Sequence, residues 1–224
     1  MSPIHPARVT AVQDFLANSG MFLNLESQKK LSPGDIIVWT KAHGQFDLVT
    51  RLASLGVTLP TSTSDVTGTE LYNSASGVAM RFDEKGPAGL PTMNFKFAGT
   101  GRYSIQAHDS TVESIDEVSL AAEITQKAAA TWEPDWIVVT SVWQAAACTI
   151  LISGGNSASA GVCASTAGLT VPFNIADLRL GVSLGYGEGM HSQEIANKGA
   201  CPFFVGMKYH AVEHHQPRMV RFVG

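Results

Sequence analysis

Hydrophobic and polar residues alternate along Leu178–Tyr186, and Trp136–Ile152 is a longer run rich in apolar residues. Alternation with a period of two places the two residue sets on opposite faces of a β-strand. A strand of nine residues spans roughly 30 Å, or roughly 21 Å when it is tilted by about 45°. This length approaches the apolar band of a membrane barrel, about 25 Å tall. The same pattern also fits a half-buried strand in a soluble sheet.

A segment of small residues, Ser153–Thr166, separates these two predicted strands. It consists almost entirely of Ser, Ala and Gly around Val162 and Cys163. Little apolar area holds such a segment in place, so it can leave the body of the protein at low cost. We therefore predict a linker here.

Three stretches have the spacing of amphipathic helices. Pro6–Ser19 places Val12 and Leu16 on one face and is followed by Gly20 as a stop signal. Gln45–Leu55 repeats apolar residues at helical intervals and is followed by Gly56. A capping box at Ser114–Glu117 predicts a third helix that runs to about Ala128, with Val118, Ala121, Ala122 and Ile124 facing inward.

The remaining patterns predict short strands and loops. Pro60–Thr69 is rich in Ser and Thr and is predicted to be a loop. Two alternating runs around a glycine-containing turn, Phe95/Phe97 and Tyr103/Ile105, predict a hairpin. Further strands are predicted at Met21–Leu25, Asp35–Thr40, Val78–Asp83 and from Pro202 to Ala211. No composition shift marks a boundary, so we expect one domain over residues 1–224.

Composition excludes several classes of protein. Hydrophobic residues make up 45% and charged residues only 15% of the chain, less than the roughly 25% charge of typical soluble domains. The net charge of −4 gives no general attraction for nucleic acid. Three cysteines, an N-terminus without a signal-peptide core and the lack of an uninterrupted apolar run predict an intracellular chain with buried thiols and no transmembrane helix.

One local motif has the residue types of a metal site. His210, Glu213 and His214 match H-x-x-E-H, an arrangement that binds zinc when both histidines lie on one face of a helix. The preceding residues alternate as a strand and Pro217 follows closely, so a zinc hydrolase is a minor alternative. Because no triad or acid–base pair has an informative spacing, we predict neither an enzyme nor a cofactor.

Scattered basic residues offer a different chemistry. If they gather on one face, they can contact anionic lipid at about 1 kcal/mol per residue; otherwise they are ordinary solvated charges. They are Arg8, Lys29, Lys30, Lys41, Arg51, Lys96 and Arg102.

Several strings, in this order, resemble the pore-forming N-terminal domain of gasdermins. They begin with the opening helix that ends in Leu16–Gly20 and with the segments Phe46–Leu55 and Phe95–Ile105. The likeness continues through Trp136–Trp143, Leu169–Phe173, Leu178–Tyr186 and Cys201–Tyr209.

This resemblance implies an α+β fold, in which helices pack on a twisted antiparallel sheet, and a pore built by self-oligomerisation. Two segments, about Val78–Ala107 and Trp136–Tyr186, would unfurl into four membrane strands. Acidic phospholipid would be bound by Arg8, Lys29, Lys30 and Lys41. The residues expected to insert are Phe95, Phe97, Tyr103, Ile105, Val138, Val142, Leu178, Leu180, Val182 and Leu184.

Two departures from the family pattern indicate a particular branch. We expect no C-terminal repressor domain, and no cysteine precedes Cys148 where bacterial relatives carry an acylated one. Both features resemble the compact fungal regulator-of-cell-death homologues, in which incompatible allelic forms meet and trigger a pyroptosis-like death during allorecognition (heterokaryon incompatibility). The resemblance thus implies an allelic partner, a cytoplasmic resting form and an active form at the plasma membrane. The alternative is a non-lytic module that recognises a protein through exposed strand edges.

Overall fold

The computed structural model describes residues 6–27, 29–40, 45–166, 169–177, 180–196, 199–210 and 218–221. The first helix, α1, spans Pro6–Ser19 as predicted and buries Val12, Phe15 and Leu16. It ends because Gly20 adopts φ 70° and donates its N–H to the Leu16 carbonyl. The predicted helical periodicity therefore identified both the element and its buried face.

A large antiparallel sheet forms the body of the protein and is organised around β8 (Trp136–Ser153). One edge of β8 pairs with β2 (Asp35–Thr40) and then β7 (Tyr103–Ile115), and the other edge pairs with β12 (Ala200–His210) and then β11 (Met190–Ala196). β8 is buried along most of its length, which explains why its sequence is apolar on both faces. The other four described strands of this sheet are β1 (Phe22–Leu23), β3 (Gln45–Arg51), β4 (Thr61–Asn73) and β13 (Arg218–Arg221).

A small four-stranded antiparallel sheet folds back onto the large one. Its strands are β5 (Val78–Asp83), β6 (Thr92–Phe97), β9 (Ala158–Cys163) and β10 (Ser183–Glu188), in the order β10-β9-β6-β5. Each of them neighbours a long strand in sequence, so β4 leads to β5, β6 to β7, β8 to β9 and β10 to β11. Four chain segments thus cross from one sheet to the other.

The second helix, α2 (Glu117–Lys127), buries Leu120 and Ile124 in a core with Val138 and Tyr209. Its N-cap is Asp116, whose carboxylate accepts hydrogen bonds from the backbone of Val118 and Ser119. Single 3-10 turns occur at Leu52–Leu55, Pro87–Gly89 and Ala129–Thr131. Helices on an antiparallel sheet confirm the predicted α+β class.

Two predicted elements have the wrong type. The predicted helix Gln45–Leu55 is the strand β3 followed by one 3-10 turn, because β3 pairs with β2 and contains the β-branched pair Val49–Thr50. The predicted Ser/Thr loop is most of β4, which pairs with β7 from Thr61 to Asn73. Threonine and valine favour a pleated, half-exposed strand even where apolar alternation is weak.

Two predicted connections are also wrong. The β6 and β7 runs do not form a hairpin with each other, since β6 pairs with β5 and β9 while β7 pairs with β4 and β8. The predicted linker Ser153–Thr166 contains β9, which is buried at Ala160 and Val162. Small residues are needed there because the Tyr186 ring lies against Gly161.

Two predicted boundaries shift. The helix α2 begins after Asp116 and not at Ser114, which still belongs to β7, and Val118, which was expected to face inward, is 83% exposed. The predicted strand Leu178–Tyr186 begins only at Ser183; Leu180 is in a turn, and Leu178 and Arg179 lie outside the described residues.

Candidate functional site

Two bent hairpins make up the part of the molecule that the sequence associates with membranes. Hairpin 1 is residues 61–115, in which β4 and β5 run antiparallel to β7 and β6. Hairpin 2 is residues 136–196, in which β8 and β9 run antiparallel to β11 and β10. Each hairpin has its base in the large sheet and its tip in the small sheet.

The inner strands of the two hairpins share one register through both sheets. β7 pairs with β8 in the large sheet, as in Tyr103 with Ile152, and β6 pairs with β9 in the small sheet, as in Thr92 with Cys163. In every pair of both ladders the two residue numbers add to 255. The chain 92–114 is therefore already aligned with 141–163 as one continuous antiparallel ladder, interrupted only at the bend.

The outer strands are offset at the bend. In hairpin 1, Asn73 pairs with Ser104 and Val78 with Phe97, a shift of two residues between the ladders. A shift of two keeps each side chain on its own face. In hairpin 2, residues 154–158 lie opposite the single Gly189 between the two ladders. Straightening hairpin 2 thus requires a larger adjustment than straightening hairpin 1.

The common register separates apolar from polar side chains over the whole inner ladder. Cross-strand partners lie on the same face, and alternate residues share a face. One face, called here the apolar face, carries Met93, Phe95, Phe97, Tyr103, Ile105 and Ala107 opposite Val162, Ala160, Ala158, Ile152, Ile150 and Cys148. The reverse face is mostly polar and carries Asn94, Lys96, Ser104, Gln106 and His108 opposite Gly161, Ser159, Leu151, Thr149 and Ala147.

The apolar face is covered at rest in two separate pieces. Helix α1 covers the piece in the large sheet, where the rings of Phe15 and Tyr103 meet edge to face at 5.7 Å. The piece in the small sheet, including Phe95, packs on Leu151 and Ile195 from the reverse face of the large sheet. The fold-back therefore hides apolar residues that a straight ladder would leave exposed.

A strap, residues 173–177, holds this arrangement. The Thr149 hydroxyl donates to the Ile175 carbonyl at 2.7 Å, and the Ile175 N–H donates to the Gln106 side-chain oxygen at 2.9 Å. The Asn174 amide contacts Thr69 on β4 and His108 Nδ1. Polar residues of the reverse face thus bind the strap through hydrogen bonds, while Ile175 itself is buried in the small-sheet core.

The edges of the small sheet are exposed. β10 is exposed at every residue, with Leu184 40% and Tyr186 38% accessible. β5 is exposed at Ala79 and Met80. Among the described strands, β5 pairs only with β6 and β10 only with β9. Both edges can therefore accept a further strand.

The expected insertion residues divide between the two sheets. Phe95 and Phe97 lie in β6, Tyr103 and Ile105 in β7, and Leu184 in β10, while Val182 is buried just before β10. Val138 and Val142 lie far from the bend, where they pair with Met207 and Phe204 of β12.

The predicted lipid-binding residues are partly brought together. Arg8 and Lys29 line one shallow pocket with Glu26, and the Lys29 ammonium lies 4.0 Å from the Glu26 carboxylate. Partial burial lowers the pKa of Arg8, and the charge of Glu26 opposes this change. Lys30 is exposed but does not line the pocket, and Lys41 lies outside the described residues.

The cysteines are buried thiols, as the sequence predicted. Burial raises the pKa of Cys148 well above its usual range and that of Cys201 to about 11. Thiols protonated in this way are weak nucleophiles.

The metal hypothesis stays untested, because Glu213 and His214 lie outside the described residues. Within the described ranges, no cluster of three or more His, Cys, Asp or Glu residues is placed to hold a metal ion. No helix in the described part of the chain has the length and apolar character to cross a bilayer.

Sequence reasoning missed the residues at the bend. Gly99, Gly101 and Gly189 all have positive φ angles, and Ser153 forms hydrogen bonds with Gly99 and Gly101. The glycine-rich string Gly99–Gly101 was the available signal, but it fits a simple hairpin turn equally well.

The geometry defines a class of α+β proteins in which two long antiparallel hairpins are folded back on a central sheet. Among solved structures, the chain is similar to the gasdermin A3 membrane pore, with 10% identity, a TM-score of 0.42, and 96% of this chain and 94% of that one covered. It is also similar to a bacterial gasdermin from Bradyrhizobium tropiciagri, with 15% identity, a TM-score of 0.38, and 95% and 90% covered.

Both of these proteins are gasdermins, the family that the sequence strings resemble. At these identities and TM-scores, neither match assigns an activity to this chain. No protein-family model matches the chain, and no curated protein matches its sequence.

Proposed function

We propose that this chain permeabilises membranes by straightening hairpins 1 and 2 into four long antiparallel strands. The observation that carries the proposal is the continuous register of the inner ladder, with apolar residues on one face and polar residues on the other. Membrane strands need this alternation, because one face meets lipid and the other meets water.

The short strands of the small sheet could cross a bilayer only if the bend opened. A strand needs about 9–11 residues to cross a bilayer. Each of β5, β6, β9 and β10 has only 6 residues. Continued through the bend, however, the stretch from Met93 to Ala107 exceeds that requirement on one inner strand. Insertion of the small-sheet strands therefore needs residues from the large sheet as well.

Self-association follows from the bilayer environment. Unpaired backbone groups at a strand edge are costly in lipid, so inserted strands must close into a barrel. The edges of β5 and β10 have no partner among the described strands, and a second copy can pair with them. The proposal is consequently a ring of copies and not a single inserted chain.

Acidic phospholipid is the proposed first partner. Arg8 and Lys29 lie in one pocket and Lys30 is exposed nearby in sequence, and with Lys41 they would attract an anionic surface. A resting form in the cytoplasm and an active form at the plasma membrane fit this order of events. An allelic partner protein as the trigger completes the proposal and rests on the sequence resemblance alone.

Two engineered disulfides test the proposal, one expected to block straightening and the other expected to allow it. Thr69→Cys with Asn174→Cys ties the strap to β4, where the two native side chains are in contact. Lys96→Cys with Ser159→Cys links directly opposite residues of the inner ladder, which stay paired in the straightened form. The readout is dye release from vesicles of phosphatidylserine and phosphatidylcholine.

Under oxidising conditions the strap crosslink is expected to abolish dye release, and a reductant should restore it. The ladder crosslink is expected to leave release unchanged. Release that survives the strap crosslink would refute unfolding of hairpin 2. Failure of the wild-type protein to release dye, alone or mixed with an allelic form, would refute the function itself.

A further inference from the structure

We propose that helix α1 is a latch on the bend, and that leaving it is the step that lets the hairpins straighten. This inference rests on the proposed function, because it concerns how the same rearrangement is controlled. Three observations carry it: the bend is one hydrogen-bonded unit, α1 touches that unit directly, and the contact is incompletely satisfied.

Ser153 joins the two inner strands at the bend. Its hydroxyl donates to the Gly99 carbonyl at 2.5 Å and accepts from the Arg102 N–H at 2.9 Å. Its backbone carbonyl accepts from the Gly101 N–H at 3.0 Å, and its N–H donates to the Arg102 carbonyl at 2.8 Å. The turn 99–102 in hairpin 1 and Ser153 in hairpin 2 therefore move together or not at all.

The outer strands are bonded to the same unit. In each hairpin, the outer segment that crosses between the two sheets forms a backbone hydrogen bond with the inner segment beside it. The four crossing segments therefore form one hydrogen-bonded row, called here the hinge row. The bonds are Ser74 N–H to Tyr103 O (3.1 Å), Ala98 N–H to Gly77 O (2.8 Å) and Gly154 N–H to Gly189 O (2.8 Å). A restraint on any one crossing is thereby transmitted to the others.

Helix α1 lies directly against the hinge row at Gly101. A β-carbon on Gly101 would lie 2.8 Å from the Ala7 carbonyl oxygen and 2.7 Å from the Thr10 β-carbon. Gly101 also has φ 71°, a conformation that glycine adopts without strain. Only glycine permits the helix backbone to approach the turn this closely.

An ion pair fixes the same contact. The Arg102 guanidinium lies 3.7 Å from the Asp14 carboxylate of α1, with side-chain exposures of 33% and 29%. Arg102 Nε and Asp14 Oδ2 are nevertheless buried without a hydrogen-bond partner among the described residues. Buried polar atoms left unpaired weaken a contact, so this pair holds α1 in place but separates readily.

A different side of α1 carries the proposed lipid contact. Arg8 lines the pocket with Lys29, whereas Ala7, Thr10 and Asp14 face the hinge row. Residues three and four apart share one side of a helix, and Arg8 is offset from them. An anionic headgroup that captures Arg8 would therefore pull on a side of the helix that does not contact the hinge row.

Charge removal and charge exchange test the latch. Arg102→Gln and Asp14→Asn each remove the ion pair, and Asp14→Arg with Arg102→Asp restores it in reverse. Lys127→Gln is the matched control, because it removes an ion pair with Glu123 inside α2. Hydrogen exchange of the soluble proteins without lipid is the first readout, and dye release from phosphatidylserine–phosphatidylcholine vesicles is the second.

In both single variants, the amide hydrogens of residues 101, 102, 153 and 154 are expected to exchange about two- to fivefold faster than in the wild type. This is the size of effect typical of a partly exposed ion pair. The amides of Phe204 and Val205 should be unchanged. Dye release should start correspondingly earlier, and the double variant and Lys127→Gln should match the wild type.

Unchanged exchange at the hinge row in both single variants would overturn the latch, whatever the vesicles do. Faster exchange that the charge-exchanged double variant fails to reverse would also overturn it, because the effect would then not come from the ion pair. Absence of dye release from all variants and the wild type refutes the proposed function instead, and the lipid-free exchange still decides on the latch.

Discussion

The centre of the large sheet and the small sheet are both β-structure, but different contacts hold them. Phe203 and Phe204 on β12 face opposite sides, where Phe203 stacks on Phe15 and Phe204 on Phe22, each at 5.2 Å. The small sheet has exposed edges and is covered on only one face, where Phe95 packs on Leu151 of the large sheet; hydrogen bonds of the strap and the hinge row add to this contact. The centre of the large sheet is therefore covered by aromatic residues on both faces, whereas the small sheet is covered on one face and open at both edges.

The largest expected effect is in the centre of the large sheet. Phe203→Ala removes a fully buried ring and should lower the free energy of unfolding by about 3–5 kcal/mol. Urea denaturation followed by circular dichroism measures this change. A loss below about 1 kcal/mol would mean that the two regions do not differ as described.

The next effect separates the two faces of hairpin 1. Met80 is paired with Phe95 on the apolar face and is 42% exposed at rest, and its neighbour Ala79 is paired with Lys96 on the reverse face. Met80→Lys should leave the soluble fold intact but abolish dye release, because a lysine facing lipid costs about 2–4 kcal/mol per copy at mid-membrane. Ala79→Lys is the matched control and should retain release. Equal activity of the two variants would contradict the assignment of faces.

A smaller effect is expected at the strap. Gln106→Ala leaves the Ile175 N–H buried without its acceptor, which costs about 1–3 kcal/mol. Limited proteolysis should then cleave near residues 173–177 sooner, and dye release should start earlier. Gln144→Ala is the control, since Gln144 donates to the carbonyl oxygen of Leu31 in the loop between β1 and β2, away from the strap. Equal cleavage rates in the two variants would argue against the strap.

The smallest effect is expected from alkaline pH. Burial raises the pKa of Cys201 from 9.0 to about 11, so the folded state keeps this proton more tightly than the unfolded state. The stability that this provides is present below pH 9 and is lost as the pH rises towards 11. The free energy of unfolding should fall by about 1 kcal/mol between pH 9 and 10 from this group. In Cys201→Ala, the fall of about 1 kcal/mol in the free energy of unfolding that comes from this group should disappear. If the free energy of unfolding fell as steeply with pH in this variant as in the wild type, the raised pKa of Cys201 would not be the cause.

Local patterns predicted the elements whose signals are local. Helix α1 was correct at both ends because Pro6 and Gly20 bound an amphipathic stretch. The strand β2 was correct because Ile36–Trp39 is an apolar run of suitable length between polar residues. The insertion residues Phe95 and Ile105 were correctly placed on strands for the same reason.

The rest depends on partners that are distant in sequence. β6 pairs with β9, more than sixty residues away, and no local spacing encodes that partner. Gln45–Arg51 became a strand because β2 lies beside it, which overrides its helical spacing. The strap and Ser153 were missed because Gln106, Thr149 and Ser153 acquire their roles only when the sheets fold back.

The shared numbering of the inner ladder has a kinetic consequence. If the backbone amides and carbonyls of residues 92–97 keep the same hydrogen-bond partners in residues 158–163 before and after straightening, those hydrogen bonds need never break. The activation barrier would then come from separating apolar surfaces and releasing two turns, and not from breaking and re-forming the hydrogen bonds of a sheet. A protein arranged in this way could stay in its resting form for a long time and still convert quickly once the first copy has straightened.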